Sequence, residues 1–176
     1  MAEIAWRKDT GNNRYCLDSG IRVLWKNEGM RNIRYIFVHC TAGSQRQTLA
    51  DLKAEFRRKG WKHPGYHYVV FPEGRIVQLL DEGKVANGVK GYNAVSIHVA
   101  YAGGVDAQGH ATDNRTDAQK AVLRSLLRLI HKRYPTAHIL GHRDISPDKN
   151  HNGKVERWER IKECPCFEAI PEYADI

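Results

Sequence analysis

The sequence predicts an α/β fold: a single domain whose central mixed β-sheet is flanked by α-helices. Short runs rich in β-branched and aromatic residues alternate along the chain with longer segments whose apolar residues recur at helical spacing, which implies one sheet covered by helices. Two of the strand runs are separated only by Pro72, Glu73 and Gly74, the signature of a hairpin. The 176 residues, 41% of them hydrophobic, fit one globular unit with its own core, since longer chains usually divide.

The first thirty residues carry short alternating pieces such as IRVLW at 21–25 between Gly and Asn breakers. They read as an N-terminal extension with one small strand or hairpin, which places the domain proper at 31–176. From Ile33 to Cys40 the run IRYIFVHC reads as a buried strand broken by TAGS, so His39 lies at a strand's C-terminal end. TLADLKAEFRRKG follows, with Leu49, Leu52 and Phe56 at helical spacing, Thr48 as N-cap and Gly60 as stop. YHYVVF at 66–71 and RIVQLL at 75–80 form the hairpin, its first strand opening at Tyr66, and VSIHVAYAGG at 95–104 is a further strand. Thr116 to Tyr134 repeats apolar residues on a helical period and ends before Pro135, and AHIL at 137–140 makes a last short strand.

An excess of 28 Lys+Arg over 20 Asp+Glu gives a net charge of +8, which favours anionic partners such as acidic polymers, membrane surfaces or nucleic acid. The basic residues are scattered rather than blocked together, so a nucleic-acid-binding arm is not indicated. The N-terminus lacks an apolar segment behind a basic one, and no run of apolar residues is long enough to span a bilayer. A protein made in the cytoplasm, without signal peptide or membrane insertion, is expected. The four cysteines, Cys16, Cys40, Cys164 and Cys166, are too few for a disulfide scaffold and are expected as free thiols or ligands.

Zinc in a catalytic site takes three protein ligands from His, Cys and carboxylates and keeps a fourth position for water. His39 and His142 each follow a strand, and Cys164 lies in KECPCF near the chain's end, so all three can converge at one edge of a sheet. Spacing alone does not establish a metal site, because lone histidines are more commonly core or surface residues.

VHCTAG at 38–43, GYHYVV at 65–70, GYNAVSIHVAYAGG at 91–104, GHRD at 141–144 and KECPCF at 162–167 occur in one order along the chain. Over residues 35–167 they resemble the amidase family that includes small phage N-acetylmuramoyl-L-alanine amidases and the peptidoglycan recognition proteins. The resemblance implies the fold of that family and makes 31–176 a zinc amidase domain. It implies hydrolysis of the amide between the lactyl group of N-acetylmuramic acid and the L-Ala of the peptidoglycan stem peptide. It makes His39, His142 and Cys164 the zinc ligands, places Tyr66 beside the water at the metal, and makes Lys162 the partner of the developing oxyanion. Asn93, in the motif closest to the phage enzymes, either contacts substrate or caps a turn.

His67 alternates with Tyr66 and is expected to face away from it, while His98 lies inside a strand and His131 on a helix, so all three read as structural or surface residues. By the same alternation Cys40 reads as a buried thiol rather than a fourth ligand. Cys166 is either an inert small residue or, on export, a partner for Cys16.

Between GHRD and KECPCF the chain departs from the compact phage pattern with ISPDKNHNGKVERWERI. Asp148, Asn150, Asn152, Gly153 and Glu159 fit a twelve-residue calcium loop, with a backbone carbonyl from Lys154. The same residues also fit an Asn/Gly-rich turn that carries no ion.

A non-catalytic peptidoglycan-binding module is the rival expectation, and the presence of Cys164 favours the enzyme. The expected partner is peptidoglycan, met as a monomer at the cell wall after phage-type release or delivery by a secretion system.

Overall fold

A computed structural model describes residues 31–176, together with the backbone of three short strands before them. Those strands, β1 (Trp6–Asp9), β2 (Arg14–Leu17) and β3 (Arg22–Leu24), form an antiparallel sheet in that order. The small strand expected at 21–25 is thus the edge strand of a three-stranded sheet, paired with β2. The side chains of this segment, Cys16 among them, lie outside the described residues.

The main sheet contains β4 (Tyr35–Cys40), β5 (Tyr68–Val70), β6 (Ile76–Gln78), β7 (Ser96–Tyr101) and β8 (His138–Gly141). Its order is β6-β5-β7-β4-β8. β5, β7, β4 and β8 run parallel, and β6 is antiparallel to β5, so the sheet is mixed. Strands are shorter than the apolar runs that announced them: Tyr66 and His67 precede β5 rather than opening it.

Helix α1 (Leu49–Arg58) is started by Thr48, whose hydroxyl accepts from the Asp51 amide while the Asp51 carboxylate accepts from the Thr48 amide. Thr116 and Gln119 make the same reciprocal cap on α2 (Asp117–Arg133). A short α3 (Ala169–Glu172) closes the chain.

Period-two alternation divides the sheet into two faces. Ile36, Val38 and Cys40 of β4, Ile97, Val99 and Tyr101 of β7, and Tyr68 and Val70 of β5 pack with Val122, Leu123, Leu126, Leu127 and Ile130 of α2. Each fully buried Leu or Ile contributes on the order of 1.5–3 kcal/mol here. On the other face, Val69 and Ala102 meet Leu52 and Phe56 of α1. Beside that smaller cluster β4 and β7 present Phe37, His39 and His98 instead of aliphatic side chains.

Candidate metal centre

Alternation along β4 puts His39 on the α1 side of the sheet, one residue before the strand ends. β8 leads directly into a 3-10 turn, His142–Ile145, which presents His142 with its ring centroid 5.0 Å from that of His39. Cys164 arrives on a strap, 164–166, that crosses the end of β8. The Arg143 amide donates to the Cys164 carbonyl at 2.8 Å, and the Tyr101 hydroxyl donates to the Pro165 carbonyl at 2.8 Å. The crossing requires glycine at 141, because a Cβ there would stand 2.6 Å from Pro165 Cδ.

These elements bring one donor atom each from His39, His142 and Cys164 to within 4.8 Å of one another. Cys164 Sγ lies 3.7 Å from His39 Nδ1 and receives the Cys40 backbone N–H at 3.3 Å. Burial, followed by the charges of His98, His142 and Lys162, holds His39 well below the usual histidine range. Burial and then Lys162 bring His142 to about 4. Both imidazoles are therefore neutral at pH 7 and carry a lone pair, the form that binds metal.

His98, read from sequence as structural, touches this centre. Its Nδ1 is 3.1 Å from His39 Nε2. Behind it, the His98 amide donates to His67 Nδ1 at 3.0 Å, so His67 carries its proton on Nε2, 3.0 Å from the Lys84 carbonyl. Burial lowers His67 to about 4. Alternation predicted that His67 faces away from Tyr66, but both residues precede β5 and turn to the same side of the sheet, Tyr66 against His39 and His67 stacked on His98. Nor could it show that β7 lies next to β4 with His98 paired to Phe37. The second His on a neighbouring strand was the only signal available.

The centre forms the floor of a cavity of about 650 Å³. Tyr66 and Lys162 line it with the three metal-capable residues, and Trp61, Val89 and Ile161 add apolar wall. The Tyr66 ring centroid is 5.2 Å from that of His39, and its hydroxyl donates to the Cys40 carbonyl at 3.3 Å. Burial keeps the phenol well above its usual pKa, so Tyr66 is a neutral hydrogen-bonding group. Asn93 sits one layer back, where its Oδ1 accepts the Val89 amide at 2.7 Å and holds the turn whose residues 87–90 line the cavity.

Cys40 is 3% exposed and faces the α2 side, as alternation predicted. Its thiol is pushed up to about 12, chiefly by the hydrogen bond with Cys164, and its Sγ faces Cys166 at 3.7 Å, outside the His39–His142–Cys164 group.

Calcium is not supported at residues 148–159. Glu159, expected as the closing bidentate ligand, is buried in the fold. One of its oxygens accepts the amides of Lys149 and Asn150 at 2.6 and 3.2 Å, and the other accepts the Glu156 amide at 2.8 Å. Asp148 accepts the Asn152 and Gly153 amides, Asn152 accepts the Lys154 amide, and the Asn150 side chain donates to Glu156. The oxygens that would face an ion are turned onto the loop itself, and the Asn/Gly-rich turn is the reading that fits. Ile161 N–H closes the segment on Ser146 Oγ at 3.1 Å, which sets the start of the Lys162–Cys164 stretch.

Comparison with known proteins agrees with this geometry. Residues 29–156 match the family model described as N-acetylmuramoyl-L-alanine amidase. The endolysin of Klebsiella phage KP32 is 34% identical over 125 residues, covering 70% of this chain and 83% of that protein. Among solved structures, the Ph2119 endolysin from a Thermus scotoductus bacteriophage superposes with a TM-score of 0.62 at 26% identity, over 86% of this chain and 88% of that one. Drosophila PGRP-LB shares the fold with a TM-score of 0.59 at 16% identity, over 84% and 81% of the two chains. Across most of its length, then, this chain belongs to the N-acetylmuramoyl-L-alanine amidase family.

Proposed function

We propose that the protein is a zinc-dependent N-acetylmuramoyl-L-alanine amidase that cuts peptidoglycan between the lactyl group of N-acetylmuramic acid and the L-Ala of the stem peptide. Amidase activity follows the family. The zinc dependence and the residue roles rest on one observation: donor atoms of His39, His142 and Cys164 gather within 4.8 Å at the floor of a cavity also lined by Tyr66 and Lys162.

The residues fit zinc by their chemistry. Two neutral imidazoles and a thiol form a set that zinc favours, and three ligands leave a position for reactants. His39 is committed to Nδ1 as donor, since its Nε2 faces His98 Nδ1. The Cys40 N–H is directed at Cys164 Sγ and fixes its position beside His39. When bound, zinc polarises the scissile carbonyl and lowers the pKa of water.

The remaining work falls to the chain's own groups. Lys162 places an ammonium where negative charge grows on the carbonyl oxygen, an interaction stronger in the transition state than in the ground state. Tyr66, neutral and held through the Cys40 carbonyl, orients the attacking water by hydrogen bonding. Asn93 supports the substrate-facing turn through Val89. His98 accepts the His39 Nε2–H and fixes the tautomer that leaves Nδ1 for the metal.

Residues 31–176 are the catalytic unit in this reading. Arg31 supports its near boundary by donating to the carbonyls of Glu82, Asn93, Ala94 and Ser96. No helix among the described residues is long and apolar enough to cross a membrane. A monomer acting at the cell wall after phage-type release fits the endolysin relatives.

The test is release of stem peptides from purified peptidoglycan by the wild type and Cys164→Ala, with bound zinc quantified in both. About one zinc per chain and peptides with an L-Ala amino terminus are expected from the wild type. Zinc loss and an activity drop of more than about 10³-fold are expected in the variant. Peptidoglycan binding without release by the wild type would replace the enzyme with a recognition module.

A further inference from the structure

Besides the metal-capable Cys164, the described residues hold two other cysteines, and they face each other. Cys40 Sγ, at the end of β4, is 3.7 Å from Cys166 Sγ on the strap, across a sequence separation of 126 residues. Both pack around the backbone of Gly104: a Cβ there would stand 2.6 Å from Cys40 Sγ, and Cys166 Sγ lies 3.3 Å from the Gly104 carbonyl. Both residues border the active-site cavity, but Cys40 is 3% exposed and Cys166 only half-buried, so a reagent in the cavity meets Cys166 first. The strap is held by the Tyr101–Pro165 and Arg143–Cys164 hydrogen bonds whether or not the sulfurs are joined.

We propose that Cys40 and Cys166 are an oxidation site, at which a disulfide oxidant forms an intrachain bond that ties β4 to the strap and leaves Cys164 free for metal. Cys166, a thiol at rest because its hydrogen bond with Cys40 and burial raise it, gives up its proton as its sulfur attacks one sulfur of the oxidant and expels the first thiolate. Cys40, having lost its proton, attacks the Cys166 sulfur of the mixed disulfide and expels the second thiolate. The two protons from the cysteines end on the two released thiols, so two electrons pass from the protein to the oxidant. Reducing conditions keep both residues as thiols, and a compartment outside the cytoplasm, where peptidoglycan lies, supplies the oxidant. The bond closes a long loop and pins the segment that delivers Cys164, so it resists unfolding and slows loss of metal. Bond formation itself does not depend on the zinc reading; the effect on metal release does.

The zinc-loaded full chain is equilibrated with oxidised glutathione or with dithiothreitol and digested for disulfide mapping by mass spectrometry. Zinc release to a chelator and the thermal midpoint are measured alongside. Oxidation is expected to give a Cys40–Cys166 crosslink with zinc retained, a zinc release at least several-fold slower, and a midpoint raised by about 5 °C. Cys166→Ser should lose all these responses while keeping the zinc content of the reduced wild type. Thiols at 40 and 166 that stay open to alkylation, or a crosslink through Cys16 or Cys164, overturn the proposal. A Cys40–Cys166 bond with unchanged zinc release removes the pinning role. Failure of the reduced wild type to bind zinc strikes the metal assignment while the mapping still decides the bond.

Discussion

On one face of the sheet, Ile36, Val38 and Cys40 pack in the apolar cluster with α2; on the other, Phe37 and His39 of the same strand stand beside His98, and His39 opens on a cavity. The first face needs apolar side chains of about the right volume, and many sequences supply them. The second depends on particular atoms: the His39 Nε2 partner, the Cys164 Sγ position, and room beside His98. A Cβ on Gly88 would lie 2.4 Å from His98 Nδ1, so this glycine is required by a histidine rather than by a turn. Stability and chemistry are thus separable on one strand, and substitutions that act on only one face test the separation.

The largest effect on the aliphatic face should come from Leu126→Ala, which empties a fully buried site in α2. A loss of about 2–5 kcal/mol in urea unfolding is expected, with zinc per folded molecule unchanged. Coupled loss of zinc affinity in the folded fraction would show that the faces are not independent. Lys162→Ala is the converse: amidase turnover falls by about 10²–10³-fold while zinc content and unfolding midpoint stay at wild-type values. A drop below ten-fold would remove Lys162 from oxyanion stabilisation.

His98→Phe keeps the ring stacked on Phe37, whose centroid is 5.7 Å away at 9°, and removes only the acceptor for His39. Zinc affinity should weaken about 10–100-fold by competition with a chromophoric chelator. Gly88→Ala should shift it in the same direction by displacing His98. Wild-type affinity in both variants would make His98 a packing residue.

A pH dependence of the metal-free protein tests the histidine face as a whole. Burial lowers His67 from 6.5 to about 4, so between these values the unfolded chain binds more protons than the folded one. Its contribution is full above pH 6.5 and is lost as pH falls towards and through about 4. The loss is about 2 kcal/mol by pH 5, and His39, His98 and His142 act with the same sign. Urea midpoints equal at pH 7 and pH 5 would contradict this.

The aliphatic face was readable because its physics is periodic: the alternation in IRYIFVHC and the helical period of Thr116–Tyr134 state which side chains share a surface. The start of α1 was announced by its cap Thr48, whereas the Thr116 cap of α2 emerged only in the structure. The convergence of His39, His142 and Cys164 was visible only through ordered motifs, since nothing local in sequence says that β8 lies beside β4. His98 was missed for that reason, and so was the pairing of Cys40 with Cys166. The 148–159 loop shows the opposite error. Its residue types matched a calcium loop, but whether a carboxylate turns to an ion or to backbone amides is decided by the fold around it. Glu159 turns inward.

Zinc-edge X-ray absorption on the reduced, metal-loaded protein addresses the centre most directly. Two imidazole nitrogens and one sulfur, with the Zn–S distance near 2.3 Å and a lighter fourth atom, are expected for His39, His142 and Cys164 with an open position. Two sulfurs would bring Cys40 or Cys166 into the shell and close the site, and no sulfur would remove Cys164; either result contradicts the assignment.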